Sequence, residues 1–271
     1  PGLGLPGFAV ALVISRMVGL GLQGLLWKWR LNLVPSWSDF WRVRWTPMKH
    51  ILHIGLPGAA ENLSWELAFM VSVAAVGIMG THALATQAYV LQISYVAIMA
   101  SLAVGLSAEI VVGHLVGAGR LHEAHRVVRK SLATGLILGV SVATVAALLG
   151  PWLLRGFSQD PALLAQGSLL LWWTVLLEPG RTFNLVVINA LRAAGDARYP
   201  VMAGAVSMAI ILAGGSWLLG QVWGFGLMGV WIAYAADEWI RGLLMWRRWA
   251  TLGWLPHARA AHRKLRHARA A

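Results

Sequence analysis

The chain has 271 residues, 58% of them hydrophobic and 12% charged, and its 22 Lys and Arg against 10 Asp and Glu leave a formal net charge of +12. A soluble domain carries about 25% charged residues, so this composition and a mean hydropathy of +0.67 exclude one, while the confinement of the cations to short blocks between apolar runs excludes nucleic-acid binding as their purpose. Cysteine is absent, which excludes disulfides, thiolate catalysis and thiol-ligated metals within the chain.

A helix needs about 20 apolar residues to cross a hydrocarbon core of roughly 30 Å. Seven stretches reach that length, at about 5–26, 52–78, 84–116, 131–154, 163–191, 200–220 and 226–247. The chain opens on Pro1 and runs straight into the first stretch, so it is expected to be a piece of a longer protein. Residues 31–50 hold Pro35, Pro47, Trp37, Trp41 and Trp45 and read as an amphipathic linker at the membrane interface. Six spans follow it. The tail 255–271 is basic and low in complexity, and is expected to be disordered or to lie on anionic headgroups. Tryptophans such as Trp27, Trp29, Trp152, Trp217, Trp223, Trp246 and Trp249 fall near span ends, as an aromatic belt does.

Cations divide sharply between alternate connections. Lys28, Arg30, Arg42, Arg44 and Lys49 follow the first span, Arg120, Arg126, Arg129 and Lys130 the third, Arg192 and Arg198 the fifth, and seven more follow the seventh. That places 18 on one side against Arg155 alone on the other. By the positive-inside rule the C-terminus and the odd-numbered connections are cytoplasmic, in a multi-pass protein of the plasma (inner) membrane.

Acidic residues do the reverse. Glu61, Glu66, Glu109, Glu178, Asp237 and Glu238 all lie inside spans, where only Arg16, Arg181 and Arg241 join them. An ionisable group in hydrocarbon costs several kcal/mol unless it is paired or hydrated, so these acids point to the handling of cations or protons. At about 100° per residue, Glu178, Arg181, Thr182 and Asn189 share one face of the fifth span. Pro179 removes the donor for the Val175 carbonyl at that point. The pattern predicts a water-lined site; a Glu178–Arg181 pair with no transport role is the alternative. Glu61 and Glu66 are about 140° apart, so one faces a cleft and the other a neighbouring helix. Asp237 and Glu238 flank Arg241 at pairing distance and read as a structural ion pair first and a site second. No His-Glu-x-x-His or Gly-x-Ser-x-Gly pattern occurs, which argues against an enzyme.

Three short signatures stand in order: Gly55-Leu56-Pro57, Gly113-His114-Leu115-Val116-Gly117-Ala118-Gly119-Arg120, and the run Leu191 to Pro200 with Arg192, Gly195 and Asp196. Gly119 and Gly195 suit helix ends, and Gly113 and Gly117, four apart, suit close helix packing. With Gly229-Val230-Trp231-Ile232-Ala233, Asp237 and Arg241, they make residues 50–248 resemble one lobe of the multidrug and toxic compound extrusion (MATE) family. The resemblance implies an all-α, polytopic membrane bundle: a last helix of a missing N-terminal lobe (1–30), a cytoplasmic linker (31–50), a six-helix C-terminal lobe (51–250) and a basic tail (251–271). It also implies a cation-coupled antiporter exporting amphipathic, mostly cationic drugs by alternating access. The only cofactor would be the coupling ion, H⁺ or Na⁺. Partners would be small-molecule drugs, the lipid bilayer and the N-terminal lobe of the same chain, with no nucleic acid. Acids of Na⁺-coupled relatives fall at Trp65 and Thr182 here, which favours protons. A lipid-linked sugar flippase of the wider superfamily and a non-transporting scaffold are the alternatives.

Overall fold

The computed structural model describes residues 4–32, 36 and 45–270. Residues 33–35 and 37–44, most of the expected linker, lie outside the described residues. The chain divides into two units, Pro1–Leu52 and His53–Ala271. In the first, α1 (Gly4–Leu26) continues through a π turn, Trp27–Leu31, and ends on Asn32 in a left-handed conformation, φ 50°. Ala9–Leu31 is long and apolar enough to cross a membrane.

Eight further helices follow among the described residues: α2 (Trp45–Ile78), α3 (Thr81–Gly117), α4 (Leu121–Leu148), α5 (Gly150–Arg155), α6 (Pro161–Ala193), α7 (Arg198–Val222), α8 (Gly226–Ala250) and α9 (Leu255–Ala270). α7 is α-helical to Ser207 and then widens into π turns, Met208–Gly214 and Leu218–Val222. No strand occurs among the described residues. With α1, the helices α3, α4, α6 and α7 have the length and hydropathy of membrane spans. α8 has 25 residues but carries Asp237, Glu238 and Arg241 at its middle.

A helix stands at each of the seven expected spans, with three differences. α2 already begins at Trp45, within the expected linker. α4 begins at Leu121, so Arg126, Arg129 and Lys130 lie on a helix rather than in a connection. The tail is not disordered over Leu255–Ala270: it forms α9, whose Ala258 is fully buried.

The short α3–α4 connection has a local cause. Gly119 takes φ +77°, its N–H donates to Val116 O at 3.0 Å, and Arg120 N–H donates to Leu115 O at 2.8 Å. This is the Schellman ending, which satisfies two last-turn carbonyls and turns the chain at once. α6 ends identically: Gly195 takes φ +86°, and the N–H groups of Gly195 and Asp196 donate to the Arg192 and Leu191 carbonyls at 2.9 Å each.

α6 is the central helix, packed on α3, α4 and α8. In lipid no hydrophobic drive holds helices together, so they pack where small residues allow close approach. A methyl at Gly242 would sit 2.5 Å from Gly180 O, and one at Gly180 would sit 2.8 Å from Trp239 N. α6 and α8 therefore cross backbone to backbone. Pro179 leaves the Val175 carbonyl without its intrahelical donor; beside it the Trp239 indole N–H donates to Leu176 O at 2.9 Å.

Buried apolar side chains form two clusters. One gathers Val90, Leu154, Leu170, Leu177, Leu227 and Trp231; the other gathers Val112, Val128, Val187, Leu191, Met245 and Trp249. Between them in α3, α6 and α8 lie Ser101, residues 178–184 and residues 237–241. Each falls near the middle of its helix, so a polar layer is sandwiched at mid-height.

Candidate functional site

The polar layer is one continuous network. Ser101 Oγ donates to Glu178 Oε1 at 2.7 Å and lies 3.0 Å from Thr182 Oγ1. Arg181 Nη1 donates to Glu178 Oε2 at 2.9 Å, and its Nε is 3.6 Å from Glu238 Oε1. Glu238 Oε1 is 3.2 Å from Arg241 Nη2, and its Oε2 accepts from Asn184 Nδ2 at 3.0 Å. Arg241 Nε donates to Asp237 Oδ2 at 2.8 Å, and Ser207 Oγ from α7 donates to Asp237 Oδ1 at 2.7 Å. Glu178 and Thr182 are fully buried, and Asp237 and Arg241 nearly so. Gly139 of α4 makes room for this: a methyl there would lie 2.7 Å from Ser101 Oγ and 3.2 Å from Glu178 Cγ.

A cavity of about 500 Å³ adjoins the layer. Arg181, Asn184, Asp237, Glu238 and Arg241 line its polar wall, and Trp65, Phe69, Tyr95 and Tyr234 are among its aromatic residues. Trp65 stacks on Phe69 with centroids 5.1 Å apart. Trp65 and Tyr95 are 40% and 54% exposed, so the cavity opens on the flank of the lobe. Toward the α6 C-terminus, Glu61 of α2 pairs with Arg192, which also reaches Asn189 Oδ1 at 3.4 Å.

The structure brings most of the expected site residues together, in a different arrangement. Arg181 and Asn189 line the cavity, whereas Glu178 and Thr182 sit behind them against Ser101 and Gly139; the shared helix face splits because α3 and α4 pack on its other flank. Glu61 faces the cavity, as expected of one of the two; Glu66, expected then to face a neighbouring helix, is exposed instead. Asp237, Glu238 and Arg241, taken from sequence as a separate pair, join Glu178 and Arg181 in one network. Asn184 was missed, although it stands one turn after Arg181. Arg192, read only as a helix-end cation, is the partner of Glu61.

The chemical capacity of the layer follows from its charge. Three carboxylates face two guanidiniums, leaving one formal negative charge. A buried charge is tolerated only when it is paired or neutralised, so the layer calls for one monovalent cation, a proton included. Every carboxylate oxygen already has a donor or a cation partner, and Asn184 Oδ1 is buried with no hydrogen-bond partner among the described residues.

Known proteins converge on one family. The chain is 35% identical over 255 residues to the uncharacterized transporter YisQ of Bacillus subtilis, covering 94% of this chain and 56% of that protein. It is 24% identical over 250 residues to the probable multidrug resistance protein NorM of Thermotoga maritima, covering 90% and 52%. The chain thus spans about half the length of the curated relatives it matches. The crystal structure of the eukaryotic MATE transporter AtDTX14 superposes with a TM-score of 0.77 at 15% identity, over 95% of this chain and 58% of that one. That likeness shows the fold. The MatE family model matches residues 57–218, more than half of the chain, and the chain belongs to the MatE family.

Proposed function

We propose that this chain is the C-terminal lobe of a cation-coupled antiporter that exports amphipathic, mostly cationic compounds by alternating access. The observation that carries the reading is the one surplus negative charge in a mid-height layer beside an aromatic, flank-opening cavity. A cation from the medium and a cationic substrate in the cavity compete for that single charge. Holding both at once would leave the layer net positive in low dielectric, so loading one favours release of the other. Aromatic faces with nearby carboxylates suit organic cations. A proton needs one oxygen, whereas a sodium ion needs several unengaged oxygens around it. Asn184 Oδ1 is the only side-chain oxygen named in this layer without a partner, which supports the proton. The N-terminal lobe would supply the facing wall of the cleft, and the cation-rich end of this lobe would face the cytoplasm of a plasma (inner) membrane.

The test is efflux of a fluorescent lipophilic cation from proteoliposomes holding the full-length transporter. A pH gradient is expected to drive it and a sodium gradient alone is not. Flux indifferent to both gradients removes the reading.

A further inference from the structure

At the cation-rich end of the lobe, α9 lies beneath the two glycine-capped turns. Gly195 is beside His257 and Ala261 of α9, and Gly119 beside the His262 ring, where a methyl would come within 3.0 Å of it. His262 Nδ1 and Gly117 O are 2.9 Å apart. A carbonyl can only accept, so Nδ1 donates this bond and holds the ring against the end of α3. Trp254, just before α9, is fully buried and stacks on Trp249 with centroids 4.2 Å apart. The helix is therefore built into the lobe.

Between α9 and the α3–α4 turn is a notch of about 550 Å³, lined by Gly119, Leu121, Pro256, Arg259, His262 and Arg263. No carboxylate lines it. The two acids nearest in the fold are engaged elsewhere: Glu123 holds Arg120, and Asp196 accepts from Arg248 Nε at 2.8 Å with His257 Nδ1 4.0 Å away. Arg259 and Arg263 have no anionic partner among the described residues. They stand four apart, on successive turns of one helix face. Such a fork of guanidiniums matches the oxygens of a phosphate.

We propose that this notch is a binding site for the phosphate of an anionic phospholipid headgroup. Two features favour a lipid over free phosphate or nucleic acid. The notch sits at the α3–α4 turn, where two helices of membrane-crossing length end. Leu121 and Pro256 give it an apolar wall that suits the glycerol of a lipid and nothing in inorganic phosphate. Bound there, the headgroup ties α9 to the α3–α4 turn and to the leaflet.

Native mass spectrometry of the full chain in neutral detergent tests this, with phosphatidylglycerol and phosphatidylcholine added at equal concentration. The wild-type chain is expected to retain phosphatidylglycerol preferentially. Each arginine near a membrane surface contributes a factor of about five, so R259Q/R263Q is expected to lose about 25-fold of that preference, and R259K/R263K, which keeps the charge but not the fork, to fall between the two. Both positions are exposed, and hydrogen exchange at the Ala258–His262 amides checks that α9 stays docked. An unchanged preference in R259Q/R263Q overturns the site. Displacement of the lipid by inorganic phosphate at equal concentration, or tighter arginine-dependent binding of an RNA duplex, overturns the lipid as its occupant.

Discussion

Glu178 and Arg241 carry opposite charges in the same buried layer, so neutralising each has a different consequence. In Glu178→Gln the amide oxygen can take the Oε2 place and accept from Arg181 Nη1 while its NH2 donates to Ser101 Oγ, whose own proton turns to Thr182 Oγ1; Arg181 still faces Glu238 at 3.6 Å. Two carboxylates then balance two guanidiniums. Thermal stability is expected to stay within about 1 kcal/mol of wild type, while the surplus charge disappears and gradient-driven efflux falls at least tenfold. Arg241→Leu strips Asp237 and Glu238 of their shared partner and leaves three carboxylates on Arg181 alone. Breaking a buried network from one side costs about 3–5 kcal/mol, so low yield and a lowered Tm are expected. Wild-type flux in the first variant eliminates Glu178 from coupling; a wild-type Tm in the second shows that the layer does not hold the lobe together.

The α6–α8 crossing makes this layer continuous, and it depends on two glycines. A Cβ at Gly242 would lie 2.5 Å from the Gly180 carbonyl oxygen and 2.9 Å from Phe183 Cβ. Gly242→Ala is therefore expected to push the helices apart, at an overpacking cost of about 1–3 kcal/mol, and to weaken the Glu178–Arg181–Glu238–Arg241 chain that spans them. Gly77, whose nearest neighbour is 4.0 Å away, is the control: Gly77→Ala should leave Tm unchanged or raise it slightly. Equal Tm values for the two variants would contradict a crossing set by glycine. This crossing also marks what was legible in the sequence. Apolar length located each helix, and glycine-before-polar steps located the ends of α3 and α6, because those signals are local. The joining of Glu178 to Glu238, or of Glu61 to Arg192, is not local. It depends on which faces meet, and in a chain with 30 glycines no single glycine announces a helix crossing. Two ion pairs read as separate were for that reason halves of one network, and Glu66 and Glu61 could be told apart only once α2 was placed against α6.

Across the whole lobe, the chemistry has a direction only if its two ends face different compartments. The structure sorts the connections by end. His82 at the start of α3 and Asp160 at the start of α6 are 3.0 Å apart, so the α2–α3 and α5–α6 connections share one end, where Arg155 is the nearby cation. The α3–α4 and α6–α7 turns share the other end with α9, which packs beneath Gly119 and Gly195. Arg120, Arg126, Arg129, Arg192, Arg198, Arg247 and Arg248 gather toward it. An excess of this kind is retained on the cytoplasmic side during insertion. The chain contains no cysteine, so it carries no background thiol. Gln159→Cys and His122→Cys place single thiols at exposed positions on opposite ends. An impermeant maleimide applied to intact cells should label residue 159 and reach residue 122 only after permeabilisation. The reverse pattern would put α9 and its arginines outside, invert the sense in which the mid-height layer exchanges cation for substrate, and turn the proposed exporter into an importer.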